Sequence, residues 1–282
     1  MNKNRKSKWL ILLVISIVFI IWIAWGNTAI EINEYQIISE NLPDAFYGFR
    51  IAHISDLHNA KIGEENSKLL ELLANAEPDI IVITGDIIDS YHTDVEVSLK
   101  FVEKAVEIAP CYYVTGNHEA RLSKEIYLDF EEKMEGFGVI VLHDEMISIE
   151  QEGKNISLGG IDDSLFASKH YDISYSNLSD YIEGLFTEDD FQILLSHRPE
   201  KFQDYVDAGV NLVFSGHAHG GQFRLPFVGG LVAPNQGLFP EYDAGLFSED
   251  GTNMMVSRGI GNSIIPIRFN NRPEVILVEL SN

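Results

Sequence analysis

The first clear feature of the pattern is an uncharged apolar run over residues 9–25, preceded by Lys3, Arg5, Lys6 and Lys8. A helix of about 17 residues spans roughly 25 Å, the short end of what a bilayer requires. The run is apolar on every face, unlike the one-sided pattern of a surface helix in a soluble domain. Trp9 and Trp25 stand at its ends, where indole suits the membrane–water interface, and the basic flank is expected to stay cytoplasmic. A cleaved signal peptide is the alternative, with Ala24 and Gly26 as a weak small-x-small site. The run is longer than a usual signal core, which favours a retained single-pass anchor with the rest of the chain outside the cytoplasm.

Beyond it, residues 27–50 read as a tether and an alternating strand (Ile30, Ile32, Tyr35, Ile37) that ends near Pro43. Residues 51–54 form a short, mostly apolar run that leads straight into Ser55-Asp56-Leu57-His58. A helical stretch over 64–76 carries Leu69, Leu70, Leu72 and Leu73. Residues 80–84 then read as a buried strand entering Gly85-Asp86. A second helix (95–108) leads through Pro110 to Tyr112-Tyr113-Val114 and on to Gly116-Asn117-His118-Glu119. After a less regular middle, 191–195 runs into Ser196-His197, and 211–214 into Gly216-His217-Ala218-His219. Strands alternating with helices indicate a layered α/β domain, whose ligands bind beyond the carboxyl ends of the strands. Five apolar runs each deliver an Asp, Asn or His to that edge. The chain divides as a basic flank and anchor (1–26), a tether and first strand (27–44), and one large domain (45–282).

Charge narrows the partners. The formal net charge is -23, and the domain alone is more acidic still because the basic cluster sits at the start. Summed repulsion of that size counts against DNA or RNA, and no nucleic acid is expected as a bulk partner. Cys111 is the only cysteine, so no intrachain disulfide can form, and its place beside an apolar strand marks it as a small buried hydrophobe.

The polar residues at the strand ends are chemically coherent. Carboxylate oxygens, an amide oxygen and imidazole nitrogens suit Mn, Fe or Zn, and no thiolate stands nearby to make a zinc-finger site. Side chains alternate along an extended segment, so Asp56 and His58 can grip one ion, and His217 and His219 can converge in the same way. Glycines before Asp86, Asn117 and His217 are expected to permit tight turns. Two ions sharing one carboxylate can lower the pKa of a water and clamp phosphate oxygens. A histidine outside the ligand set is then needed for the leaving group.

In order, Asp56-Leu-His58, Gly85-Asp86, Gly116-Asn-His-Glu119, His197 and Gly216-His-Ala-His219 resemble the five blocks of the calcineurin-like metallophosphoesterase superfamily. Finer texture is similar to its exported or membrane-bound bacterial phosphodiesterases, and to the UDP-diacylglucosamine pyrophosphohydrolases of lipid A synthesis. This texture lies in Ile54-Ser-Asp-Leu-His58, Leu195-Ser-His-Arg-Pro199, the stretch 215–222, Ala233-Pro-Asn-Gln-Gly237 and the stretch 258–263. The resemblance covers roughly residues 45–280 and implies an αββα sandwich, a four-layer member of the α/β (or α+β) class. It implies that Asp56, His58 and His219 hold a first divalent metal, that Asp86 bridges, and that Asn117, His197 and His217 hold a second, with Mn favoured. His118 would then act on the leaving group or the transition-state charge. Glu119 stands where many relatives have Asp and would orient that imidazole.

The implied reaction is hydrolysis of a phosphodiester or pyrophosphate by a metal-activated hydroxide, on an envelope or lipid-linked substrate. A phosphomonoesterase on the same site and a non-catalytic, metal-braced ectodomain are the alternatives. Oligomeric state is not legible. Among other candidates, His53 reads as a packed strand histidine, and His92, His143 and His170 as surface or loop residues. Arg198, Arg258 and Arg268 are expected to pair with carboxylates more readily than with substrate phosphate. Gly220-Gly221 reads equally as a turn or a phosphate contact, and the apolar stretch 223–231 as core rather than a lipid-facing surface.

Overall fold

The computed structural model describes residues 3–186, 190–262 and 264–282; the side chains of Lys3, Arg5, Lys6 and Ser263 lie outside the described residues. Helix α1 (Lys3–Thr28) contains a span, Ser7–Thr28, long and apolar enough to cross a membrane, with a mean hydropathy of 2.6. Its final turns rest on the domain. The Asn27 side chain exchanges hydrogen bonds with the backbone of Arg268 (2.9 and 2.7 Å), and the Arg272 guanidinium lies 4.7 Å from the Trp25 ring centre.

Strand β1 (Glu31–Ile38) is the edge of a first six-stranded sheet. Next to it lies the C-terminal strand, Glu274–Ser281, followed by β2 (Arg50–Ile54), β3 (Ile80–Thr84), β4 (Cys111–Val114) and β5 (Ile140–Val141). The last four run parallel; the C-terminal strand is antiparallel to β2 and parallel to β1. The second sheet also has six strands. From its far edge it contains β6 (Glu145–Gln151), β7 (Lys154–Gly160), β8 (Phe191–Leu195) and β9 (Leu212–Ser215), then Thr252–Val256 and Gly245–Glu249.

The central strands of both sheets are covered on two sides, which explains why β3, β4 and β9 are apolar runs without clean alternation. Ile51, Val82 and Val114 of the first sheet meet Leu158, Ile193, Leu195 and Phe214 of the second in a shared inner layer. Alternate residues turn outward. Ile81 and Ile83 pack with Leu69 and Leu73 of α2 (Ser67–Ala76), Phe101 of α3 (Val95–Ala105) and Phe130 of α4 (Lys124–Phe137). Leu194 and Val213 pack with Ile182 of α5 (Leu178–Leu185) and Phe202 of α6 (Phe202–Asp207). The result is helix, sheet, sheet, helix.

The irregular middle resolves into ordered elements. Ser123 caps α4, accepting from the Ile126 N–H at 3.3 Å, and Gly138 ends it at φ 101°. A hairpin, β6–β7, turns at Glu152-Gly153. The stretch 223–231, expected in the core, is instead an exposed hairpin: Arg224–Leu225 pairs with Gly229–Gly230 and the Phe227 side chain projects entirely into solvent. Its glycines shape a surface turn, so apolar content alone misplaced it. Cys111 is buried, as its position implied.

Candidate metal centre

The carboxyl ends of β2, β3 and β4 in one sheet and of β8 and β9 in the other open onto the same edge. The loops that leave them are stitched together by backbone bonds. Asp56 N–H donates to Gly85 O (3.1 Å), Gly216 N–H to His197 O (3.2 Å), and His217 N–H to the Asp56 carboxylate (3.0 Å). All the site residues expected from the sequence are brought here and buried: Asp56, His58, Asp86, Asn117, His118, Glu119, His197, His217 and His219.

Three donor groups form, each with ligand atoms within 4.8 Å of one another: Asp56–His58–His219, Asp86–His197–His217 and His58–Asp86–His118. Asp86 stands between the first two, its Oδ2 3.7 Å from His58 Nε2 and 3.4 Å from His197 Nε2.

The tautomers show that these groups suit cations. Thr84 O lies 2.7 Å from His197 Nδ1, so Nδ1 carries the proton and donates, leaving a lone pair on Nε2. Asn235 Oδ1, 3.2 Å from His217 Nε2, can only accept, which leaves the lone pair of His217 on Nδ1. Those two lone pairs face each other across 3.1 Å beside the Asp86 carboxylate. His58 Nε2 and His219 Nε2 likewise stand 3.2 Å apart, with Asp56 Oδ1 3.4 Å from the latter. Buried electron-rich atoms crowd in this way only around positive charge. Burial alone would lower His197, yet the neighbouring Asp86 raises it to about 10. Against the raising effect of burial, His197 in turn holds Asp86 well below the ordinary carboxylate value. A proton is thus drawn to the place a divalent ion would take.

The backbone is bent to make this set. Asp56, His58, Asp86, His217 and His219 all lie at positive φ, between 45° and 65°. Such left-handed residues cost on the order of 1 kcal/mol each and cluster at functional sites. Of the three glycines expected to serve turns, Gly85 does so, at φ 80°. Gly116 and Gly216 serve a different need. A Cβ on Gly116 would sit 2.3 Å from Asp86 Oδ1, and one on Gly216 would sit 2.5 Å from Asp56 Oδ2. Glycine there makes room for the carboxylates.

Asn117 has its amide end 2.7 Å from His217 Nδ1. In one orientation its NH2 donates to that nitrogen while its oxygen accepts from Arg121 Nη1 (3.0 Å) and His118 N (3.2 Å); a half-turn points the oxygen at the nitrogen as a ligand would.

His118 and Glu119 differ from the expected pairing. Nδ1 of His118 accepts from the Ser90 backbone N–H (3.0 Å), with Ser90 Oγ at 3.1 Å and Asp89 Oδ1 at 3.4 Å. Burial lowers this imidazole to about 4, Asp86 opposing. Glu119 faces the other way. Its oxygens accept the backbone N–H groups of Asp86 (2.9 Å), Gly116 (2.9 Å) and Ile88 (3.1 Å), clamping the loops after β3 and β4 together. The carboxylate on the Nδ1 side of His118 is that of Asp89, and Asp86 lies toward Nε2, so the expectation that Glu119 orients the imidazole is corrected.

Beside the cluster lies a cavity of about 780 Å³. His118, His217 and His219 line its polar end with Arg121 and Arg198, while Val232, Ile264 and Ile265 form an apolar wall. Arg198 pairs with Asp163 (2.5 Å) and Glu200 (3.2 Å), and Arg258 with Glu274 (2.6 Å) and Glu31, as expected. Arg268 does not follow that expectation. It is fully buried and donates to the Arg258 carbonyl (2.6 Å), the Gly261 carbonyl and Asn262 Oδ1 (3.0 Å), bracing the 258–268 loop.

His53 packs edge-on against Phe214 and bonds Thr84 Oγ1 at 2.7 Å, a strand histidine as read. His92 is exposed, but His170 and His143 depart from a surface reading. His170 is buried against Phe166, and His143 bridges Glu131 (3.1 Å) and Asp162 (2.9 Å). Gly220 and Gly221 make a turn, at φ 60° and 68°.

A family model described as calcineurin-like phosphoesterase matches residues 49–221, the stretch that contains every strand-end residue above. The chain belongs to that family. This phosphoesterase is 33% identical over 260 residues to an uncharacterized metallophosphoesterase, YkuE, of Bacillus subtilis, covering 90% of this chain and 86% of the relative. It is 28% identical over 242 residues to the phosphodiesterase YaeI of Escherichia coli, covering 82% of each. Among solved structures, TT1561 of Thermus thermophilus shares the fold at a TM-score of 0.51 and 14% identity, over 75% of this chain and 90% of that one. The chain is accordingly a metal-dependent phosphoesterase, with residue clusters able to hold divalent ions.

Sequence reasoning missed Asn235, Ser90, Asp89 and Arg121 as parts of the site. Asn235 stood in a noted motif without an assigned role. The other three act through positions that only the folded loops reveal.

Proposed function

We propose that this phosphoesterase hydrolyses a phosphodiester or pyrophosphate bond at the outer surface of a membrane, on an envelope or lipid-linked substrate such as the lipid A precursors its texture suggests. The observation that carries the reading is the position of Asp86, between the Asp56–His58–His219 group and the His197–His217 group and open to the cavity. Asp56, His58 and His219 would hold one ion, and Asn117, His197 and His217 another, with Asp86 shared. When bound, two divalent ions, Mn favoured, supply a nucleophilic water at neutral pH and neutralise phosphate charge.

The chain's own residues do the rest. Thr84 O and Asn235 keep His197 and His217 in ligand tautomers. Arg121 places guanidinium charge on the cavity wall for phosphate oxygens, while Arg198 on the same wall is held by Asp163 and Glu200. His118, acceptor at Nδ1, presents its Nε2–H as a hydrogen-bond donor to the leaving oxygen and stabilises the charge that develops there as the P–O bond breaks. A diester is favoured over a monoester by cavity size, since about 780 Å³ with an apolar wall accommodates a second ester group. Lys8 and its basic neighbours before the apolar helix support a cytoplasmic amino end and an extracytoplasmic domain.

The test is turnover by the purified full-length protein, with added Mn, of a chromogenic phosphodiester against the matching monoester. Diester hydrolysis that Asp86→Ala abolishes is expected. Monoester hydrolysis alone would move the assignment to a phosphomonoesterase; turnover unchanged in Asp86→Ala would end it.

A further inference from the structure

Three segments around the cavity mouth carry an exposed apolar surface that the catalytic reading does not use. Phe227 and Val228 sit on the hairpin 224–230. Leu238 and Phe239 lie on the pair Val232–Ala233 with Gly237–Leu238, and Ile264 and Ile267 on the loop before the last strand. Beyond α1, four of the five most exposed large apolar side chains among the described residues are here: Phe227 (108%), Leu238 (74%), Ile264 (74%) and Phe239 (64%). The segments are laced together. Gln222 donates its side-chain amide to the carbonyls of Ile265 (2.9 Å) and Ile267 (2.8 Å). The Arg224 N–H bonds Phe269 O (2.9 Å), and the Phe239 N–H bonds Leu231 O (2.9 Å). One patch results, and a monomeric soluble surface rarely exposes such a cluster.

Two independent observations identify what covers it. The first is position relative to α1. Phe269, on the same loop as Ile267, packs edge-on against Trp22 (5.2 Å between ring centres) and at a tilt against Phe19 (6.4 Å). Phe19 lies nine residues before the helix end at Thr28, about 13 Å along the axis at 1.5 Å per residue. Phe19 and Trp22 both lie inside the apolar run 9–25, so the loop reaches past the run's end at Trp25 and lies alongside the span.

The second is charge. Residues 222–240 and 257–273 contain no Asp or Glu, in a chain with 43 of them, and hold Arg224, Arg258, Arg268 and Arg272. Arg224 pairs with Asp243, Arg258 with Glu31 and Glu274, and Arg272 with Glu31, while Arg268 is buried, so the rim segments bring apolar side chains and no carboxylate of their own to the surface, as entry into a bilayer interface requires. The same loop supplies Ile264 and Ile265 to the cavity wall, so the patch is continuous with the apolar end of the site.

We infer that the rim formed by residues 225–228, 238–239 and 264–267 inserts into the membrane that α1 enters. The cavity mouth then opens at the lipid surface, and the substrate is a phosphodiester or pyrophosphate whose apolar tail stays in the bilayer. The inference rests on the anchored phosphoesterase reading and deepens it.

The experiment uses full-length protein in vesicles of phosphatidylcholine and phosphatidylglycerol, spin-labelled at one introduced cysteine: Phe227→Cys, Ile15→Cys or Tyr47→Cys. Cys111 is buried with its thiol pushed up to about 12 by that burial, so it does not compete for label. Tyr47 is exposed and precedes β2 at the end of the sheet away from the site. Labels at 15 and 227 are expected to be oxygen-accessible and shielded from aqueous nickel, and that at 47 the reverse. In parallel, Phe227→Ser/Leu238→Ser/Phe239→Ser is expected to lose about tenfold or more of turnover on a vesicle-embedded diester. Its turnover of a soluble chromogenic diester should stay within about twofold, because none of the three lines the cavity. Lipid contact at 15 with water contact at 227 would overturn the rim inference and leave the anchor standing. Water contact at both would overturn both. Loss of all diester turnover with lipid contact at 227 retained would count against the chemistry and not the rim.

Discussion

Ser90 donates its backbone N–H to Nδ1 of His118 across 3.0 Å, and that bond decides where the imidazole's proton sits. A backbone amide can only donate, so Nδ1 accepts and the proton of the neutral ring is on Nε2. Nε2 lies 4.0 Å from Asp86 Oδ2, at the polar end of the cavity, where its N–H can donate a hydrogen bond to the leaving oxygen.

His118→Ala is therefore expected to retain both metals per chain while kcat on a diester falls about 10²–10⁴-fold. Metal content by mass spectrometry alongside kcat checks it. Ser90→Ala keeps the backbone donor and should cost less than about threefold; a loss as large as that of His118→Ala would show that the hydroxyl, and not the amide, sets the tautomer.

Glu119 leads to a different outcome. Removing its carboxylate leaves three buried backbone N–H groups without acceptors. At about 1–3 kcal/mol each, the cost is roughly 3 kcal/mol or more. Glu119→Ala should lower Tm by roughly 6–12 °C at fixed metal concentration. A variant with unchanged Tm and lost kcat would restore the carboxylate to a role in orienting the imidazole.

Asn235 holds His217 from outside the ligand set. Asn235→Ala should weaken metal affinity about 10–100-fold by leaving the imidazole free to turn. Titration of the metal-free protein with Mn, followed calorimetrically, reads this directly.

His143 governs a pH effect away from the metals. Burial lowers its imidazole, but the hydrogen bonds to Asp162 and Glu131 outweigh that and raise it to about 10. A raised folded-state pKa stabilises fully below the unfolded value near 6.5, and the contribution fades as pH rises through about 10. Urea midpoints should therefore decline from pH 7 to pH 10 in the wild type and decline less in His143→Gln. Equal slopes would remove His143 as the cause.

Much of this fold was legible because its strands carry two signals at once. Residues 80–84 are apolar throughout, as a strand covered on both faces must be, and end directly at Gly85-Asp86. The same coupling of apolar run and polar end located Asp56, His118, His197 and His217. What the sequence could not show was contact between segments far apart in the chain. Glu119 turned from His118 because three amides of two loops need acceptors, and nothing local to residue 119 records that. Phe227 is apolar and exposed, and nothing local to residue 227 records that its hairpin is tied to the loop whose Phe269 meets Trp22 of α1.

The sharpest test is electron paramagnetic resonance of the Mn-reconstituted protein. If Asp86 is shared, two Mn ions roughly 3.5–4 Å apart will give an exchange-coupled multiline spectrum at two ions per chain. His219→Ala will reduce this to the six-line spectrum of a single ion. One ion per chain in the wild type, or two that remain magnetically independent, would contradict the account.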